Sequence, residues 1–153
     1  MFIMNTLPLV KRAQILGLLV EGNSINATCR ITGAAKATVL KLLADVGAAC
    51  AEYQNKALVN LPCKRVQCDE IWSFVGAKQK HVEQGAAGYD DVWMWTAICA
   101  DTKLIAAWMV GSRDGEAARA FIADLAPRLA NRVQLTTDGH RAYLDAVADA
   151  FAW

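Results

Sequence analysis

The stretch "VQCDEIWSFVG", residues 66–76, decides how the rest of this chain is read. Val, Ile, Trp and Phe dominate it, as in a strand that is buried on at least one side. Two adjacent carboxylates, Asp69 and Glu70, stand in its middle, where an unpaired charge is costly. The period-two alternation of a strand puts Gln67, Asp69, Ile71 and Ser73 on one face. Cys68, Glu70, Trp72 and Phe74 fall on the other. Asp69 and Glu70 therefore cannot chelate one ion as a pair, and each needs its own partner.

Downstream the same strand-like composition recurs at Val92–Ala100, Leu104–Val110 and Val133–Thr137. The long polar segment "GAKQKHVEQGAAGYDD" separates the first two strands, and the tight turn "DTK" the second and third. The first three are therefore expected to form an antiparallel meander. A helix follows, with Ala118, Phe121, Ile122, Leu125 and Leu129 on one face and Pro127 shortening its end. The fourth strand leads into another helix from about Arg141, with Leu144, Val147 and Phe151 expected inward. Three strands, a helix, a strand and a helix predict an α/β domain with a mixed sheet. The closing "AVADAFAW" is still helical in pattern and carries no cap, so the domain reads as partial.

Upstream the period is helical. "LPLVKRAQILGLLV" (7–20) closes at Gly22, and Ser24 is placed to cap "INATCRI". After Gly33, "AAKATVLKLLADVGAACAEY" carries Val39, Leu42, Leu43, Val46 and Cys50 as a stripe expected to be buried. Three helices with a small residue (Cys29), Gly33 four later and Val39 six further on fit a helix-turn-helix. Lys36, Thr38 and Lys41 then lie at the exposed front of the third helix, suited to phosphate and base-edge contacts. A plain three-helix bundle with solvated lysines fits the same spacing. The expected organisation is a DNA-binding domain over 1–56, a linker over 57–64 containing Pro62, and a partial catalytic domain over 65–153.

The charge distribution agrees with that division. Residues 1–65 carry eight Lys and Arg against three acids, and the remainder carries eight against twelve, although the whole chain of 153 residues is only +1. A basic front and an acidic back suit a nucleic-acid reader followed by something that uses carboxylates. Five widely spaced cysteines, with no C-x-x-C pair and two histidines, speak against a disulfide framework and a structural zinc site. They are expected to be small buried hydrophobes. No apolar run is long enough to span a bilayer, and the N-terminus lacks the pattern of an export signal, so the expectation is a cytoplasmic protein with no membrane contact.

The fourth strand, in "RVQLTTDGHRAY", ends at Asp138, with Gln134, Thr136 and Asp138 sharing a face. If the first and fourth strands are neighbours, Asp69 and Asp138 are expected to face each other. Unpaired carboxylates at that distance repel unless a cation lies between them. Hard oxygen donors of this kind suit Mg²⁺ or Mn²⁺. For Glu70 the expectation is an ion pair with an arginine or a supporting place beside the metal site.

Taken together, "SINATCRITGAAKATVLKLL", "CDEIWSFVGAKQK", "DTKLIAAWMVGSRDGEAARAF" and "NRVQLTTDGHRAYLDAV" resemble insertion-sequence transposases of the DDE type, close to the insertion-sequence-one group. The likeness covers nearly the whole chain. It implies a helix-turn-helix that binds terminal inverted repeats and a ribonuclease-H-like core with two Mg²⁺ or Mn²⁺ ions for DNA cleavage and strand transfer. It also implies homo-oligomers on DNA, in a bacterial, nucleoid-associated setting. Asp69 matches the first catalytic aspartate and Asp138 the second.

The family's third acid, a glutamate on a later helix, has no counterpart before Trp153, so the chain reads as C-terminally truncated and catalytically incomplete alone. Glu116 is a possible accessory acid, although a first helical turn favours an acid anyway. His140 is a second accessory candidate beside Asp138, and Lys78 and Lys80 are candidate DNA contacts. Asp101 and Asp114 sit where turns and helix starts expect Asp, and Trp72, Trp93, Trp95 and Trp108 are expected in the core. An alternative function is a DNA-binding remnant that occupies the element's ends and represses transposition. A regulator whose C-terminal half senses a small molecule is a weaker alternative.

Overall fold

The computed structural model describes residues 7–75 and 90–152. The chain divides into two compact units, Met1–Ala57 and Leu58–Trp153. The described residues form a mixed α/β structure with five helices and four strands.

The first unit holds α1 (Leu9–Val20), α2 (Ile25–Thr32) and α3 (Lys36–Ala57). Local chemistry sets its boundaries. Gly22, at φ 79°, takes the left-handed conformation after α1, and its N–H bonds to Leu19 O at 3.0 Å. Ser24 caps α2 by accepting from the Ala27 N–H. Gly33 ends α2 at φ 69°, its N–H bonded to Cys29 O. Ile15, Thr28, Thr32 and Val39 are buried. The expected stripe along α3 is shallower than its spacing suggests. Val39 alone is fully enclosed, Leu42 and Val46 are half-buried, and Leu43 and Cys50 are exposed. A helix of 22 residues outruns the two shorter helices of its unit, so its apolar stripe is longer than they can cover.

In the second unit, β1 (Arg65–Val75), β2 (Asp90–Cys99), β3 (Ile105–Gly111) and β4 (Gln134–Thr136) form one sheet in the order β3-β2-β1-β4. The first three strands are the expected antiparallel meander, with Glu70 opposite Trp95 and Asp69 opposite Thr96. β4 joins β1 in parallel over Arg65–Gln67. Two helices, α4 (Gly115–Leu125) and α5 (Ala142–Ala150), follow β3 and β4. Asp114 caps α4 by accepting from the Ala117 N–H, and a short 3-10 turn at Ala126–Arg128 takes up Pro127.

The core is one layer between the sheet and these helices: Val66, Cys68, Trp95, Ala97, Cys99, Ala118, Phe121, Ile122, Leu125, Tyr143 and Ala146 are among its buried members. Residues 57–64 are tied into it. Leu61 is buried and exchanges backbone hydrogen bonds with Arg128 O and the Ala130 N–H, and Cys63 is buried as well. The opposite face of the sheet leaves Ile71, Met94, Trp108 and Val110 exposed.

Two packing expectations need correction. Of the four strand tryptophans only Trp95 is fully buried; Trp72 and Trp108 are exposed and Trp93 half-buried, because alternation sends Trp108 to the open face and Trp72 lies towards the end of β1. In α5 the inward residues are Tyr143 and Ala146, with Val147 and Phe151 partly covered. Leu144 is 73% exposed, since the phase of the helix is set by Tyr143 under Trp95. The five cysteines are free thiols, and Cys63, Cys68 and Cys99 are buried as expected, whereas Cys50 is exposed. No described helix is long and apolar enough to cross a membrane.

Candidate functional site

The parity of β1 decides what its two acids do. Val66 and Cys68 are buried against the helices, and Glu70 follows them onto that face. Its carboxylate is only 1% exposed. Asp69 is exposed on the other face, between Gln67 and Ile71, where its Oδ1 accepts from the Glu70 N–H at 2.8 Å.

Arg113, on the β3–α4 connection, ties the helix-side acids together. Its Nε donates to Glu70 Oε2 at 3.0 Å and its Nη2 to Asp138 Oδ2 at 3.1 Å. The guanidinium also lies 4.8 Å from the centre of the Trp93 ring, a cation–π contact that fixes its plane. Asp138 follows β4 at the turn containing Gly139, whose φ of 89° suits glycine. Its other oxygen, Oδ1, accepts from the His140 N–H at 3.0 Å. Continuing the β1–β4 register would have set Asp138 level with Asp69, but the pairing ends at Gln67–Thr136 and the chain turns. The acid that shares a partner with Asp138 is thus Glu70, in the ion pair expected for it.

Beneath this bridge lies an unusual polar pocket of the core. Glu70 Oε1, Tyr143 Oη and His140 Nε2 are each buried, and the Tyr143 hydroxyl interacts with the Glu70 carboxylate. Trp95 lies against both rings, 5.5 Å from Tyr143 and 6.1 Å from His140 between centroids. Burial, and then the neighbouring Glu70 carboxylate, raise the Tyr143 hydroxyl above the usual tyrosine range. Burial and Glu70 likewise push the Cys68 thiol up to about 12.

A pH dependence follows from these shifts. In the unfolded chain the Cys68 thiol ionises near 9.0 and the tyrosine near 10.0, whereas in the fold both hold their protons. Their contribution to stability is full below pH 9 and is lost as pH rises towards 12. Melting temperature is therefore expected to fall between pH 9 and pH 11. Circular-dichroism melts across that range should be flatter for Cys68→Ala/Tyr143→Phe, and an equally steep decline in that variant would contradict the assignment.

The remaining candidates are dispersed. Glu116 is exposed in the first turn of α4. Lys36, Thr38 and Lys41 are exposed on the front of α3 in the first unit, with Lys41 paired to Asp45 at 2.8 Å. Lys78 and Lys80 lie outside the described residues. Asp101 forms an ion pair with Arg65. Among the described residues no three His, Cys, Asp or Glu side chains converge as a metal-binding group. No protein-family model matches the chain, and no curated protein does either.

Arg113 and Tyr143 were missed in the sequence. Parity alone put Glu70 on the face of Cys68, opposite Asp69, and an ion pair with an arginine was one expectation for it. "GSRDGE" supplies one immediately before the α4 cap, which was the available signal for Arg113. Nothing comparable marks Tyr143, which reads as an ordinary core aromatic.

Proposed function

We propose that the chain is a DDE-type transposase, with a helix-turn-helix that binds the element's ends and a ribonuclease-H-like unit that acts on phosphodiesters. The observation that carries this reading is the adjacency of β1 and β4 in parallel, with Asp138 just beyond the carboxyl end of β4 and joined through Arg113 to Glu70 in the middle of β1. Functional groups collect at that edge in α/β sheets.

The donors suit a hard divalent ion. They are carboxylate oxygens, and two of the acids already share one cation. Asp138 and an acid of β1 would hold the ion, the resemblance naming Asp69 for the second place. Mg²⁺ or Mn²⁺ there would stabilise charge on the attacking and leaving oxygens of a phosphodiester. The chain's own groups do the rest: Arg113 offers a positive charge beside a bound phosphate, and Lys36 and Lys41 neutralise phosphates of the bound end.

The test is Mn²⁺-dependent nicking of a supercoiled plasmid that carries the DNA flanking the coding sequence. Metal-dependent nicking that is lost in Asp138→Ala would support the reading for this chain unaided; binding of the ends without nicking is the outcome expected if it is catalytically incomplete alone. Metal-independent nicking, or nicking indifferent to Asp138, would overturn the reading.

A second reading is a DNA-binding remnant that occupies the ends and represses transposition. It is favoured by the first unit being compact in its own right, with Lys36, Thr38 and Lys41 exposed on α3. It expects binding without nicking. In either case log Kd should rise linearly with log salt, and Lys36→Ala should reduce the slope by about 1 if that lysine meets a phosphate. An unchanged slope removes α3 from the interface.

A further inference from the structure

We propose that Cys63 and Cys99 form a dithiol that peroxide oxidises to a disulfide, with Cys99 as the attacking sulfur and Cys63 as the sulfur that closes the bond. Both are free thiols, buried in the same core layer. Backbone bonds set their neighbourhood. Cys99 ends β2 opposite Val66 of β1, and the next residue, Ala100, donates its N–H to Arg65 O at 2.9 Å. Asn131 Nδ2 donates to Cys63 O at 2.8 Å, and Leu61 is bonded to Arg128 O and the Ala130 N–H. The segment entering β1 is thereby held against the end of β2, and there the Cys63 thiol donates to the Cys99 sulfur.

The surroundings of the two sulfurs differ, and the difference sets their roles. Cys99 opens the turn 100–103, which Lys103 closes at φ 64° by donating its N–H to Cys99 O at 2.9 Å. That turn aims donors at the Cys99 sulfur: the Thr102 hydroxyl first, then the Thr102 and Asp101 N–H groups. Arg65, paired with Asp101, adds its positive charge nearby. These donors outweigh burial and bring the Cys99 thiol down to about 7, so much of it is thiolate at neutral pH. Burial, and then the bond to Cys99, hold the Cys63 thiol up at about 11. One sulfur is a nucleophile, and its neighbour keeps a proton to give away.

The chemistry balances on these two groups and one peroxide. The Cys99 thiolate attacks an oxygen of hydrogen peroxide, the O–O bond breaks, and a sulfenic acid and hydroxide result. The Cys63 sulfur then attacks the Cys99 sulfur. The S–S bond forms, the S–O bond breaks, and the Cys63 proton leaves with the departing hydroxyl as water. Asp101, Thr102 and Lys103 are exposed, so opening this one turn uncovers Cys99. The disulfide ties the segment entering β1 to the end of β2, and a dithiol reductant reverses it.

The experiment treats the full chain with hydrogen peroxide at neutral pH, alkylates the remaining thiols and maps tryptic peptides by mass spectrometry. Trypsin cuts after Lys64 and Arg65, so Cys63 and Cys68 stay distinguishable. A Cys63–Cys99 linked pair that dithiothreitol separates is expected. In Cys63→Ser, oxidation should stop at a Cys99 sulfenic acid that dimedone labels at least tenfold faster than the exposed Cys50. Linkage through other cysteines only, dimedone labelling at Cys50 ahead of Cys99, or no oxidation of Cys99 overturns the proposal. The unaltered chain gives a second readout that no folding defect can obscure. Iodoacetamide alkylation of Cys99 should rise through a midpoint near pH 7, and a midpoint at the ordinary thiol value of 9.0 overturns the division of roles.

Discussion

Replacing Trp95 with alanine is expected to lower the stability of the second unit by about 4 kcal/mol, the largest effect of any single change in the chain. Among the described residues Trp95 is the largest fully buried side chain, and it stands in the middle of β2 facing the helices. It contacts Phe121 of α4 and Tyr143 of α5, so one side chain joins the sheet to both helices. Alanine leaves a void that those rings cannot fill without moving their helices. The indole N–H is lost as well. It donates to Ser112 O at 2.9 Å and so anchors the residue next to Arg113. Domains of this size have only about 5–15 kcal/mol in total, so a loss of this order leaves the unit close to unfolding. Urea denaturation followed by circular dichroism should show the midpoint fall sharply at unchanged slope. Trp95→Phe should cost about half as much, because it keeps most of the ring contacts and loses the bond to Ser112. If both variants unfold like the intact chain, the core is not organised around Trp95.

The order of elements was legible in the sequence because two periods dominate it. The meander was read from alternating runs and the "DTK" turn, and the helices of the first unit from Gly22, Ser24 and Gly33, each of which acts locally. What escaped was set by contacts between distant residues. The alternation of β1 correctly separated Asp69 from Glu70, but which acid joins Asp138 depends on where the β1–β4 ladder ends. That ending comes from the turn at Gly139. Leu144 was expected inward from apolarity alone, whereas Tyr143 fixes the phase of α5 by packing on Trp95. The α3 stripe failed for a related reason: periodicity identifies an apolar face but not how much of it a neighbour covers.

Arg113 gives the second large effect, and its value lies in what it leaves behind when removed. In Arg113→Met the Glu70 carboxylate remains almost fully buried and loses its cation. Removing one partner of a buried ion pair costs about 3–5 kcal/mol. Arg113 is itself 36% exposed and its other contact, Asp138, is 37% exposed, so solvent screening reduces the expected loss to about 2–3 kcal/mol. Adding Glu70→Leu to Arg113→Met removes the stranded charge, and the double variant should be more stable than Arg113→Met alone. That sign is the informative outcome, because simple additivity predicts a further loss. Urea denaturation of the three chains reads it, and a further loss in the double variant would mean that Arg113→Met strands no charge at Glu70.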